Sequence, residues 1–250
     1  MNPIQIYHRT KKLRDLPWNS YVCRPLGAVL VWWLAKTRIT PNQVTLMAVV
    51  VCAASAGLML FVPGTFGLVL AIGVYQLSYI LDCVDGMLAR LRNVQSIQGH
   101  LLDFLMDELK AFMVLAAVTV RLFWDRADPN VLLLGLFGLM CLASGIGMTS
   151  FLRRPEIAPA APVGVGERSL SRRVVGLAET LGHWLIHYPS YIWIGALLGK
   201  MELYLYPYVA VNALYAGRAF LGIALRFGKG PASSAAHQAE PLPPSADASS

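Results

Sequence analysis

Charged side chains are scarce in this sequence of 250 residues, in which they make up 14% of the chain. A soluble domain carries about 25% charged residues. Hydrophobic residues make up 56%, and the mean hydropathy is +0.53. One water-soluble core cannot bury so much apolar surface, so we expect a lipid bilayer to be the solvent. The composition excludes a disordered protein, a coiled coil and an ordinary cytosolic enzyme, but it does not exclude catalysis.

Cysteines are also few, and the four that are present have no paired spacing. They are Cys23, Cys52, Cys83 and Cys141. The last three lie in apolar runs. The cysteine pattern therefore indicates neither a disulfide framework nor a zinc site.

Six apolar stretches approach or exceed the roughly 20 helical residues that cross a hydrocarbon core. They lie at 43–62, 66–90, 98–123, 130–152, 175–199 and 202–226. Lipid cannot form hydrogen bonds with bare backbone groups, so membrane spans are helices or closed barrels. These runs are too long and too uniformly apolar for barrel strands, which alternate. The sequence predicts an all-α integral membrane protein with six transmembrane helices.

A shorter apolar run at residues 18–37 precedes the first predicted span. Basic residues flank it, and Trp18, Trp32 and Trp33 are suited to anchor it among lipid headgroups. We interpret it as an interfacial amphipathic helix that lies in the headgroup plane. A seventh span is the alternative.

The chain divides into three parts. Residues 1–38 are expected to form a cytoplasmic N-terminus with the juxtamembrane helix, and residues 39–228 the six-helix domain. Residues 229–250 are rich in Pro, Ser and Ala and are predicted to be a disordered tail.

Basic residues are distributed unevenly among the predicted loops. Most of the 21 Lys and Arg residues lie before the first span, after the second and fourth spans, and after the sixth. Because basic loops stay on the cytoplasmic side, we expect both termini to face the cytoplasm, in the cell (inner) membrane. The net charge of +7 is explained by this orientation, and we expect no nucleic-acid partner.

Four aspartates lie at the predicted cytoplasmic ends of the second and third spans. Asp82 and Asp85 are three residues apart, and Asp103 and Asp107 are four apart, so each pair shares a helix face. A short loop makes the two helices antiparallel neighbours, and the pairs can therefore converge on one point. Four close carboxylates repel one another unless cations bind them, and oxygen-only ligands favour Mg²⁺ or Mn²⁺. We expect two such ions, with the active site facing the cytoplasm.

Small residues and one arginine accompany the aspartates. Gly86, Ala89 and Gly99 leave room for a ligand or for the facing helix. Arg90 adds a positive fork suited to phosphate. Together with paired metal ions, these features favour a substrate that contains pyrophosphate.

The spacing of these residues resembles a family signature, that of the CDP-alcohol phosphotransferases. The pattern is Asp82-x-x-Asp85-Gly86-x-x-Ala89-Arg90, eight residues, then Gly99-x-x-x-Asp103-x-x-x-Asp107. Residues 39–45 also resemble the segment that opens the first span in this family. The resemblance extends to the six spans, the interfacial helix and the cytoplasmic ends.

The resemblance implies roles for individual residues. Asp82, Asp85 and Asp103 would be chiefly metal ligands, and Asp107 would also be the general base that accepts a proton from the acceptor hydroxyl. The CDP moiety would be held by a set of six residues, namely Gly86, Ala89, Arg90, Pro41, Asn42 and Thr45. The reaction would be attack by an alcohol on a CDP-activated donor, with release of CMP.

The substrates are less well defined by the sequence. CDP-diacylglycerol is the expected donor, and a small alcohol the acceptor; a soluble CDP-alcohol that reacts with a lipid alcohol is the alternative. A divalent-cation transporter is the alternative outside enzymes. Arg153, Arg154 and Arg168 either bind anionic headgroups or hold a phosphate on the acceptor, such as an inositol phosphate or glycerol phosphate. The family resemblance also implies a homodimer.

Overall fold

The computed structural model describes residues 1–12, 15–154, 157 and 187–227. Among these residues the regular structure is helical, without a β-strand. The α-helices are, in chain order, α1 (Pro3–Thr10), α2 (Arg24–Leu34), α3 (Pro41–Phe61), α4 (Gly64–Arg92), α5 (Ile97–Arg126), α6 (Pro129–Leu152), α7 (Ile192–Leu197) and α8 (Glu202–Phe227). The predicted tail at 229–250 lies outside the described residues.

Four helices are long and apolar enough to cross a membrane, namely α3, α4, α6 and the Glu202–Leu225 part of α8. They correspond to the first, second, fourth and sixth predicted spans. The third predicted span is α5, whose 30 residues exceed the length that a bilayer requires but include several charged side chains. The protein is therefore an all-helical membrane protein, and the count of six spans stays a prediction.

The fifth predicted span, at 175–199, lies mostly outside the described residues. Its described end is not one long helix. A turn of 3₁₀ helix at Tyr188–Ser190 is followed by the short helix α7. Pro189 lies in the first turn of the 3₁₀ helix, where its missing N–H is tolerated.

The N-terminal region holds two helices where the sequence predicted one. Asn2 and Gln5 form a reciprocal capping box that begins α1, which the sequence analysis missed. A turn of π-helix at Asn19–Cys23 then leads into α2, which occupies the middle of the predicted interfacial helix. Whether α2 lies in the headgroup plane stays a prediction.

The entry to α2 is held by an ion pair. The carboxylate of Asp15 accepts hydrogen bonds from Asn19 and from the buried guanidinium of Arg24. Burial alone raises the pKa of Asp15, but the hydrogen bonds from Asn19 and Arg24 and the charge of Arg24 outweigh burial and hold that pKa below its usual range. The segment before α2 is thereby fixed against the bundle.

Helix α3 begins with a second capping box, which Thr40 and Gln43 form, and has Pro41 at its first position. The loop before it is held by Arg92 at the end of α4. The guanidinium of Arg92 donates to the carbonyls of Ile39, Thr37 and Leu34 at 2.6, 2.8 and 2.9 Å. This contact places the start of α3 beside the end of α4.

A four-residue turn joins α4 to α5. Asn93 ends α4 in the left-handed conformation, with φ of 56°. Ser96 then caps α5 by accepting the N–H of Gly99 at 3.0 Å. The two helices therefore run antiparallel, as predicted, with the end of α4 beside the start of α5.

Glycines allow α6 to approach its neighbours closely. A Cβ at Gly135 would lie 2.0 Å from the side chain of Thr119 on α5, and one at Gly138 would lie 2.6 Å from Val209 on α8. A methyl group cannot fit at either distance, so both glycines serve packing within the chain.

Candidate active site

Three of the four predicted carboxylates meet where α4 ends and α5 begins. One oxygen from each of Asp82, Asp85 and Asp103 lies within 4.8 Å of the other two. Asp85 is buried, and the other two are half-buried. Oxygen Oδ1 of Asp103 is buried and has no hydrogen-bond partner among the described residues. A buried carboxylate oxygen without a donor is suited to bind a cation, so this carboxylate cluster fits a divalent metal ion.

Thr45 on α3 supports the carboxylate cluster from a third helix. Its hydroxyl donates a hydrogen bond to Asp85 Oδ2. Both side chains are buried, so the bond is shielded from water. A partner of this kind fixes the orientation of a ligand carboxylate. Thr45, which the resemblance placed with the CDP moiety, therefore also contacts the cluster.

Asp107, the fourth predicted carboxylate, is joined to the others through a lysine. Nζ of Lys110 forms ion pairs with Asp107 Oδ1, at 2.7 Å, and with Asp82 Oδ1. Lys110 is buried, whereas the Asp107 side chain is 51% exposed. Asp107 therefore lies outside the three-carboxylate cluster but next to Asp82, and both carboxylates contact the buried ammonium group.

A smaller cavity, of about 250 Å³, adjoins one side of the cluster. Asp85 and Asp103 contribute to its wall, and so do all six residues that the resemblance assigned to the CDP moiety. Those six are Pro41, Asn42, Thr45, Gly86, Ala89 and Arg90. Its other side chains include Lys12 and His100, so the lining is polar and largely basic around the carboxylates.

Arg90 lies above the floor of the smaller cavity. Its Nε donates to the carbonyl of Thr10, at the end of α1, at 3.0 Å. The rest of its guanidinium faces Gly86, where a Cβ would lie 3.5 Å from Nη1, an ordinary contact distance. The absence of a side chain at Gly86 is therefore not required by protein packing, and it leaves space inside the cavity.

A larger cavity, of about 600 Å³, lies beside Asp107 and Lys110, and none of the three clustered carboxylates lines it. Asp107 and Lys110 line it, together with side chains from α4, α6, α8 and the segment that follows residue 186. Most of these are aromatic or apolar, and the polar ones include Tyr79, His187 and Asn212. The Tyr79 hydroxyl donates to Asn19 Oδ1 at 2.8 Å and lies 2.7 Å from His187 Nε2. The carboxylate cluster and Asp107 thus stand between two cavities of different character.

The predicted acceptor residues lie away from both cavities or outside the described chain. Arg153 and Arg154 are exposed just beyond the end of α6, and neither lines a cavity. Arg168 lies outside the described residues. Ile146 does line the larger cavity, and it precedes Arg153 by two turns of α6.

Lys110 and Lys12 are site residues that the sequence analysis missed. For Lys110 a signal was available, because a lysine inside a predicted span is costly unless it is paired, and it follows Asp107 by three residues on the same helix. Lys12 carries no such signal, since α1 was not predicted.

Comparison with known proteins agrees with the site. The family model described as CDP-alcohol phosphatidyltransferase matches residues 38–215. Archaetidylinositol phosphate synthase of Methanothermobacter thermautotrophicus is 32% identical over 155 residues, which are 61% of this chain and 71% of that protein. Inner membrane protein YnbA of Escherichia coli is 26% identical over 196 residues, 77% of this chain and 92% of that protein.

A solved structure shares the fold. It is the crystal structure of Mycobacterium tuberculosis phosphatidylinositol phosphate synthase (PgsA1) with CDP-DAG bound. The TM-score is 0.51 at 18% identity, and the match covers 78% of this chain and 92% of that one. The family match covers most of the chain and includes the whole aspartate signature, so the resemblance is confirmed. The chain belongs to the CDP-alcohol phosphatidyltransferase family, a family of membrane transferases of phospholipid synthesis.

Proposed function

We propose that the protein transfers a phosphatidyl group from CDP-diacylglycerol to the hydroxyl of a small alcohol and releases CMP. The observation that carries the proposal is the division of the site's carboxylates between two cavities: Asp85 and Asp103 of the cluster line the smaller cavity, and Asp107 lines the larger one. A transferase must bring two substrates to one reacting phosphorus, and this arrangement lets each substrate bind in a separate cavity.

The smaller cavity is the proposed site of the CDP group. Its six predicted residues combine a basic fork at Arg90, hydrogen-bonding groups at Asn42 and Thr45, and open space at Gly86. The start of α3, where Pro41 and Asn42 line the cavity, adds the partial positive charge of a helix N-terminus, which favours phosphate. A related structure, at 18% identity, has CDP-DAG bound, which agrees with this donor.

Asp82, Asp85 and Asp103 would hold a divalent cation, Mg²⁺ or Mn²⁺, which neutralises the pyrophosphate and stabilises charge that develops on it. Other side chains of the protein orient the metal ligands and the donor. Thr45 fixes Asp85, and Arg90 binds and orients the pyrophosphate.

Asp107 is the proposed general base. Its half-exposed carboxylate lines the larger cavity, so an acceptor hydroxyl can reach it there. The hydroxyl proton passes to Asp107 while the hydroxyl oxygen bonds to the phosphorus that carries the lipid. The bond from that phosphorus to the oxygen it shares with the CMP phosphate breaks, and CMP leaves with the electron pair.

The larger cavity is the proposed acceptor site, and we favour a phosphorylated polyol. One relative at 32% identity is an archaetidylinositol phosphate synthase, which agrees with an inositol phosphate or a glycerol phosphate. The proposed phosphate contacts remain Arg153, Arg154 and Arg168, because α6 leads from the larger cavity to the first two. We further propose that both termini and the site face the cytoplasm, and that the protein is a homodimer in the inner membrane.

The test is a substrate panel with the purified protein in proteoliposomes. Labelled CDP-diacylglycerol and Mg²⁺ are supplied with inositol phosphate, glycerol phosphate, inositol or serine, and CMP and the lipid product are measured. We expect CMP release that requires an acceptor and stops reversibly when divalent ions are chelated. Turnover that resists chelation, or ion flux across the vesicles without CMP, would contradict the proposal.

A further inference from the structure

Lys110 is the one buried lysine among the described residues, and it is 4% exposed. It lies in α5, one helical turn beyond Asp107, where an unpaired ammonium group would be very costly. Its Nζ is bound to two carboxylates from two helices, Asp82 on α4 and Asp107 on α5. The ammonium is therefore held in place from both sides of the site.

Nζ of Lys110 contacts one carboxylate of the cluster and one carboxylate outside it. Asp82 offers an oxygen to the cluster with Asp85 and Asp103, and its Oδ1 also accepts from Lys110. Asp107, which is absent from the cluster, accepts from the same ammonium at 2.7 Å. Lys110 thus lies where Asp82 and Asp107 would otherwise share a second metal ion.

A second divalent ion and this ammonium exclude each other. Both would compete for the carboxylates of Asp82 and Asp107, and two positive charges this close together in a largely buried site repel strongly. The three-carboxylate cluster, by contrast, leaves Asp103 Oδ1 free of any described partner and thus open to one ion.

We propose that Lys110 is a positioning residue that supplies the second positive charge of the site, so that this chain works with one divalent ion and one ammonium group instead of the two ions expected from the sequence. The ion binds Asp82, Asp85 and Asp103. Lys110 holds Asp107 toward the larger cavity and compensates its charge. This inference rests on the proposed function for its catalytic meaning, but the ion count that it predicts does not depend on activity.

The experiment counts Mn²⁺ ions bound per chain by electron paramagnetic resonance, with detergent-purified protein and no substrate. We expect about one ion for the wild type and about two for Lys110→Met, because removal of the ammonium frees Asp82 and Asp107 for a second ion. Lys110→Arg keeps a cation at this place and is expected to retain about one.

The matched control is Arg121→Met. Arg121 is a buried cation of the same helix, 4% exposed and paired with Asp125 at 2.8 Å, far from the carboxylate cluster. Its loss is expected to destabilise the fold without changing the ion count. If Lys110→Met fails to fold, Lys110→Gln takes its place, since a neutral polar side chain removes the charge and keeps hydrogen bonding.

A count of about two ions in the wild type, or an unchanged count in the folded Lys110 variant, would overturn the inference. Activity provides a second readout. The Mn²⁺ dependence of CMP release is expected to be hyperbolic in the wild type and sigmoidal in Lys110→Met, and a sigmoidal wild-type curve would also overturn it. If the wild type counts one ion but releases no CMP from CDP-diacylglycerol, the proposed function fails while the ion count stands.

Discussion

The two cavities beside the site's carboxylates are built in different ways. The smaller cavity takes most of its wall from three short stretches, at the start of α3, the end of α4 and the start of α5. The larger cavity takes most of its wall from four long helices and the segment around Tyr188, and its lining is mainly aromatic and apolar. A short motif thus specifies the proposed nucleotide side, whereas the packing of distant helices shapes the proposed acceptor side.

This difference has a consequence for specificity. The lining of the smaller cavity is preserved if a few spaced residues are kept, even when residues elsewhere in the helical bundle are substituted. The larger one changes with any substitution at the helix contacts that enclose it, such as the stacked rings of Tyr75 and Tyr188 or of Tyr204 and Tyr208. Proteins that share the nucleotide motif can therefore differ in the acceptor that they use.

The largest effect is expected for Asp107→Asn, because this variant removes the proposed base from the wall of the larger cavity. An amide cannot accept the hydroxyl proton, so kcat for CMP release should fall by roughly 10³-fold. Donor binding in the smaller cavity should stay within about twofold, because Asp107 does not line it. Turnover assays and binding of labelled CDP-diacylglycerol measure the two effects separately.

Asp125→Asn is the matched control for Asp107→Asn. Asp125 is 49% exposed on the same helix and pairs with a cation, Arg121, as Asp107 pairs with Lys110. It lies at the far end of α5, so its variant should keep full turnover. Full activity in Asp107→Asn would refute the base role.

Thr45→Val is expected to have the next largest effect, because it removes the hydroxyl that orients Asp85 while keeping the side chain's shape. The Mn²⁺ concentration for half-maximal activity should rise by about 10- to 100-fold, as for other residues that orient a metal ligand. A titration of activity against Mn²⁺ measures this. Thr119→Val, a buried threonine bonded only to its own helix at Leu115, should leave the titration unchanged.

Gly86→Ala fills part of the smaller cavity with one methyl group. Its Cβ meets Arg90 only at an ordinary contact distance, so the fold should not be destabilised. Binding of the CDP group should weaken by about tenfold, because a well-filled site loses several contacts or must shift. Binding of labelled donor and the thermal midpoint report the two effects.

The control for Gly86→Ala is Gly57→Ala on α3, where a Cβ would have no neighbour within 4 Å. It should change neither binding nor stability appreciably. Equal donor binding by Gly86→Ala and the wild type would place the nucleotide elsewhere.

Tyr79→Phe is expected to have the smallest effect and to act on the larger cavity alone. It removes the hydroxyl that contacts Asn19 and His187, which loosens one wall. The KM for the acceptor should rise by about three- to tenfold, the value of one neutral hydrogen bond, while the KM for the donor stays constant. Tyr206→Phe, on the exposed face of α8, is the control. A rise in the donor KM would show that the cavities are not independent.

The sequence predicted the helical class, the antiparallel pair α4 and α5, and the convergence of Asp82, Asp85 and Asp103. These features depend on local rules: apolar length sets a span, helical spacing sets a face, and a short turn makes two helices neighbours. The same rules placed Gly86, Ala89 and Arg90 on the wall of the smaller cavity. The Pro41 end of α3 also lies on this wall, and Arg92 helps to hold it there by binding the preceding loop.

The position of Asp107 was not predictable from spacing alone. Helical periodicity places Asp107 near Asp103, but whether Asp107 joins the carboxylate cluster depends on the charged side chains around it. Lys110 decides this, because its buried ammonium must be paired and binds Asp82 and Asp107 together. Pairing of this kind is a contact between two helices, so it follows from their packing rather than from either segment.

The sequence by itself determined that this chain enters a membrane as helices and carries a nucleotide motif at the end of one pair of them, because composition and spacing act within a single segment or between neighbours. Only the tertiary structure decided that α1 and Lys12 reach the smaller cavity, that a larger cavity of aromatic and apolar side chains lies beside Asp107, and that an ammonium group stands among the carboxylates. Each of these depends on segments far apart in the sequence, whose contacts are set by packing and by the need to pair every buried charge.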